Sequence, residues 1–73
     1  MKASTHNGLI YLQANLSQGD IDKTKKVAQW MQDNRGYDLI DGDDNPDTYH
    51  IVLGRHGSAK DAMVDYKDAK KAA

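Results

Sequence analysis

A serine followed three residues later by an aspartate occurs twice in this chain, as Ser17-x-x-Asp20 and Ser58-x-x-Asp61, each time after a run of apolar residues with the character of a strand. At such a position the serine side chain accepts a backbone N–H that the first helical turn leaves unpaired, and the aspartate puts negative charge where the helix dipole favours it. The pattern therefore predicts two helices, each preceded by a strand. Ile21, Thr24, Ala28 and Met31, with Val27 beside them, continue the first helix along one face, and Asn34-Arg35-Gly36 closes it with a glycine suited to a left-handed cap. Ala59, Ala62, Met63, Tyr66 and Ala69 or Lys70 carry the second helix toward the C-terminus.

Three strands complete the reading. Leu9–Ala14 alternates, with Ile10, Leu12 and Ala14 on one face and Leu9, Tyr11 and Gln13 on the other. Tyr37–Asp41 and Thr48–Leu53 form a hairpin around the polar loop Gly42–Asp47, and Ile51-Val52-Leu53, apolar on both faces, suits a central strand. The expected fold class is α+β, a β-α-β-β-α two-layer domain. Its three-stranded mixed sheet has the order 1-3-2 with both helices on one face, like a ferredoxin-like fold lacking its last strand. Residues 1–8 read as a disordered polar tail and 9–73 as the domain. Such a sheet leaves one face and two edges uncovered, so a homodimer through an open edge is an expectation.

Composition narrows the function classes. In 73 residues there is no cysteine, so neither a disulfide framework nor a thiolate metal site holds the fold, and an apolar core must do so. Neither a signal-peptide core nor a membrane span is visible, and the expected location is the cytoplasm. A net charge of -1 lacks the bulk positive field of nonspecific nucleic-acid binders. All 11 acidic residues are aspartates. Asp38, Asp41, Asp43, Asp44 and Asp47 make an acidic stretch with no basic residue inside it, while Lys67, Lys70 and Lys71 gather near the C-terminus.

The segment Gly54-Arg55-His56-Gly57-Ser58 draws the chemical readings. A strand ending in Arg-His-Gly resembles the phosphohistidine motif of the histidine phosphatase family, which implies a phosphate clamp at Arg55 and a nucleophile at His56. That family also requires a second histidine, another arginine and an acid from a much longer downstream chain than Ala59–Ala73. Gly54 to Gly57 is similar to the GXXG loop of KH domains, although a strand precedes it here where that motif has a helix. Without either family, the start of the second helix with Arg55, His56 and Ser58 is a candidate anion or nucleic-acid site; its alternative role is a tight turn with a serine cap. Asp41, Asp43 and Asn45 alternate as calcium ligands do, but Pro46 and Val52 replace the glycine and glutamate that such a loop needs. His6, His50 and His56 have no spacing that requires a metal, and no cofactor is expected.

With no catalytic set assembled, the expected function is a small non-catalytic protein-binding module. It would be an inhibitor or adaptor of the kind found among phage and mobile-element accessory proteins, masking a surface of a host protein. Asp41, Asp43, Asp44 and Asp47 are the candidate contacts for a basic partner. Trp30, Tyr37 and Tyr49 are candidates for an exposed interaction patch, with core packing the expectation for at least two of the three; Trp30, off the Ile21, Thr24, Ala28, Met31 line, is the candidate anchor. The alternative is nucleic-acid or phosphate binding at Arg55, His56 and Ser58.

Overall fold

The computed structural model describes residues 1–6, 8–15, 18–43, 49–55 and 58–72. Their elements run β1 (Lys2–His6), β2 (Leu9–Gln13), α1 (Gln18–Arg35), β3 (Asp38–Asp43), β4 (His50–Gly54) and α2 (Ala59–Ala72). The strands form one sheet in the order β1-β2-β4-β3, with every neighbouring pair antiparallel. The α+β class holds, and two finer expectations are corrected. The sheet has four strands rather than three and is antiparallel rather than mixed, so the order 1-3-2 gives way to β1-β2-β4-β3. Lys2–His6, placed in a tail by its polarity, is an edge strand that pairs with β2 from Lys2↔Gln13 to His6↔Leu9.

The physical reason is local. An edge strand needs only one face against the core, so Ala3, packed on that core, supports pairing without an apolar run. The register leaves two residues between His6 and Leu9, and Gly8 has φ 79°. Asn7-Gly8 is the residue pair favoured in two-residue hairpin turns, and it is the sequence signal for this strand.

One face of the sheet carries the core. Ile10 and Leu12 of β2 and Leu53 of β4 are fully buried against Val27, Ala28 and Met31 of α1 and Ala62, Tyr66 and Ala69 of α2. The apolar face expected for α1 is therefore the one that packs, with Thr24 buried in line and its hydroxyl donating to the Asp20 carbonyl at 2.6 Å. Gly36, at φ 72°, ends α1, and the Tyr37 N–H donates back to the Met31 carbonyl at 3.4 Å, closing the last turn. Ser17, the expected cap of α1, lies outside the described residues. Asp20 instead accepts from the Asn15 N–H at 3.0 Å and from the Met1 ammonium at 2.6 Å. At α2 the Ser58 hydroxyl accepts the Asp61 N–H at 3.2 Å, as a capping serine does.

No described helix packs on the opposite face. By register it carries Ser4, Tyr11, Val52 and Asp41, because each is one step out of phase with the core residues. No described helix is long and apolar enough to cross a membrane.

Candidate functional site

The residues proposed for an anion site are committed to other partners where the structure describes them. Arg55 follows β4, and its Nη1 donates to the Arg35 carbonyl at the end of α1 at 2.8 Å. Its Nη2 pairs with Asp65 at 3.2 Å, and the guanidinium lies 4.9 Å from the centre of the Tyr37 ring. Ser58 caps α2. Lys67, Lys70 and Lys71 lie on α2, with the Lys70 ammonium 5.2 Å from the Tyr66 ring. His56 lies outside the described residues.

Asp65 is the focus of this arrangement, and no sequence signal marks it, because a charge on the buried face of α2 breaks the apolar pattern. It is buried, and besides Arg55 it accepts from Arg35 Nε at 3.1 Å and from the Tyr37 hydroxyl at 2.7 Å. Arg35 also reaches Asp68 at 3.0 Å. The hydrogen bond to Asp68, reinforced by Asp65, raises the Arg35 pKa above its ordinary value. Burial, then the bond to Asp65, holds the Tyr37 phenol protonated well above its usual range. A buried carboxylate with three donors ties the end of α1, the start of β3, the end of β4 and the middle of α2 together. Its chemistry is that of a fastener: both Asp65 oxygens are engaged by donors, while the buried Arg55 Nε has no hydrogen-bond partner among the described residues.

The residues expected to bind a partner do not form one cluster among the described residues. Asp41 and Asp43 belong to β3, while Asp44 and Asp47 lie outside the described residues. Asp41 is exposed, and its Oδ1 accepts the N–H of Gly42 at 2.8 Å. Trp30 is half-buried on α1, with the Arg35 guanidinium 4.9 Å from its ring centre, so that cation occupies one side of the proposed anchor. Tyr37 and Tyr49 are both buried.

The order 1-3-2 already put Tyr37–Asp41 at a sheet edge, and β3 is one; what it left unmarked is the exposure of two large apolar side chains there. Among the described residues β3 pairs only with β4, and it bulges between Leu39 and Asp41, so Ile40 is the extra residue. Leu39 and Ile40 are 61% and 54% exposed. By register Leu39 shares the helix-covered face with Leu53, and Asp38, Asp41 and Asp43 share the open face with Gly54, Val52 and His50. Ile40 leans toward that open face, where it and Leu9 lie over Gly54. On the covered side β3 leaves a groove of about 540 Å³ against α1, bordered by Lys25, Ala28, Gln29, Gln32, Leu39 and Ile51. The signal available in the sequence was the pair Leu39-Ile40 between aspartates, which the alternation of a strand does not bury together.

No group of three or more histidine and acidic side chains among the described residues is arranged to hold a metal ion. No protein-family model, curated protein or solved structure matches the chain.

Proposed function

We propose that this protein is a small protein-binding module that recognises a basic surface of its partner through the outer edge of β3 and the acidic hairpin that β3 begins. The observation that carries this reading is the adjacency of two largely exposed aliphatic side chains, Leu39 and Ile40, on an edge strand whose other described side chains include Asp38, Asp41 and Asp43. Exposed strand edges are ordinarily blunted by charge, bulges or brevity. Here charge and a bulge are present, yet the two large apolar residues remain in solvent. The opposite edge, β1, has lysine, alanine, serine, threonine and histidine and offers no large apolar side chain.

The charge selects the partner. Pairing β3 with β3 of a second copy would set aspartates near aspartates, which is unfavourable across a strand pair, whereas lysine or arginine on a partner is favourable. Occupying and masking such a surface is the inhibitor or adaptor action expected of a chain this size. The anion-binding alternative draws less support, because Arg55 and Ser58 already serve Asp65, Arg35 and α2.

Quantitative affinity capture tests the reading with three proteins: the wild type, Ile40→Ser combined with Asp41→Lys, and Val64→Ser as a control from the exposed face of α2. A specific partner is expected to be retained by the wild type and the control and to fall at least tenfold for the β3 variant. Equal retention by all three contradicts the proposal.

A further inference from the structure

We infer that the partner contributes an extended segment in which basic and apolar residues alternate, added to the free edge of β3 as a fifth strand of the sheet. The inference rests on the β3 reading above and specifies its chemistry.

The argument is one of register. Side chains of a strand added beside β3 alternate between the two faces of the sheet. On the open face the added strand runs beside Asp38 and Asp41, both exposed, and half-buried Asp43, so every second residue meets an acidic row. On the covered face the intervening residues meet Leu39 and the groove along α1, with Ala28, Tyr49 and Ile51 in its lining and Lys25, Gln29 and Gln32 at its wall, so an apolar side chain suits it better than a second cation. One face of the incoming segment is thus asked to be basic and the other apolar. Strand addition to a sheet edge works by this division: main-chain hydrogen bonds supply affinity and alternate side-chain sites supply selectivity.

The Asp41 carboxylate has a second part in this arrangement. In the free protein it accepts from its neighbour's main chain, the Gly42 N–H. A lysine or arginine opposite Asp41 draws the carboxylate away and returns that N–H to the strand. The same residue that shields the edge from indiscriminate pairing therefore yields to a cation, and an uncharged strand meets a shielded edge.

The probe is the peptide acetyl-Lys-Val-Lys-Val-Lys-Val-amide, titrated into the isotope-labelled full chain and followed by backbone amide shifts. It is compared with acetyl-Lys-Lys-Lys-Val-Val-Val-amide of the same composition, and with two versions of the alternating peptide N-methylated on alternate sets of amides. Shifts are expected to concentrate at residues 38–43. The block peptide should bind at least fivefold more weakly. Only one of the two N-methylated versions should lose binding, because one edge of an added strand faces β3 and the other faces solvent. Absence of shifts in β3, or equal affinity for both N-methylated versions, overturns the inference. Equal affinity for those two with dependence on Asp38 and Asp41 retained would leave an acidic binding edge without strand addition. The two readings thus fail separately.

Discussion

The Tyr37 hydroxyl donates to Asp65 at 2.7 Å, joining the residue that precedes β3 to the buried face of α2. The bond matters to the proposed site because it fixes the first end of an edge strand that no helix covers. With Arg55 against the Tyr37 ring and Arg35 against Asp65, that end of β3 is held by charge and stacking.

Removing the donor alone therefore tests the fastener. Tyr37→Phe leaves a buried carboxylate one hydrogen bond short and is expected to cost about 1–2 kcal/mol, or roughly 5–10 °C in the melting temperature of a domain this small. Asp65→Asn leaves two guanidinium groups without their shared charge and is expected to cost more, on the order of 3 kcal/mol. Thermal unfolding followed by circular dichroism orders the two; a larger loss for Tyr37→Phe would contradict the central place given to Asp65.

How much of this was legible beforehand follows from the kind of signal each element carries. Both helices announced themselves through Ser-x-x-Asp pairs and 3.6-residue spacing, and β2 through the alternation that buries Ile10 and Leu12. Strand β1 did not, because Lys2–His6 carries little hydrophobic signal, and only the Asn7-Gly8 pair pointed to a turn. Asp65 was hidden for the opposite reason: its stabilisation comes from Arg35, Tyr37 and Arg55, residues distant in sequence that only the fold brings together. The candidate site was half visible. The acidic row and the edge position of this strand were plain in the sequence, whereas the exposure of Leu39 and Ile40 together depends on the bulge between Leu39 and Asp41.

Alkaline titration gives a second check. The folded state holds the phenols of Tyr37 and Tyr66 above their ordinary pKa, Tyr37 through burial and then Asp65, Tyr66 through burial. A raised folded-state value contributes stability that is complete below the unfolded pKa of about 10 and declines as pH rises from there through the folded value. Stability is expected to fall above about pH 10 as phenolate absorbance appears, and Tyr37→Phe should make that fall shallower. An unchanged slope in the variant would contradict the coupling.

Acid acts on a different residue. The Asp20 carboxyl is held below its ordinary value by the Met1 ammonium and then the Asn15 N–H. A lowered folded-state value contributes stability that is present above the unfolded pKa of about 4 and is lost as pH falls through the folded one. Asp20→Asn is therefore expected to flatten the loss of stability below about pH 4, measured by urea unfolding across pH. A variant whose acid limb matches the wild type would contradict this assignment.

Gly54→Ala probes the open face beneath the site. A methyl there would come within 2.9 Å of Leu9 Cδ2 and 3.2 Å of Ile40 Cγ1. Both atoms are in side chains at the surface, so the fold is expected to survive with a loss of about 1 kcal/mol, and the Leu9 and Ile40 methyl resonances should move. Unmoved methyl signals would show that Ile40 does not lie across Gly54 in solution.

The central claim is that β3 is the edge that partners touch. Its most direct measurement is site-specific photo-crosslinking in cells, with a benzoylphenylalanine placed in turn at positions 4, 39, 40 and 64, on β1, β3, β3 and α2 respectively. One adduct mass shared by positions 39 and 40, absent from 4 and 64, and lost when Asp38 and Asp41 are changed to lysine is the predicted result. Adducts from position 4 or 64 with none from 39 and 40, or β3 adducts indifferent to the charge reversal, would contradict it.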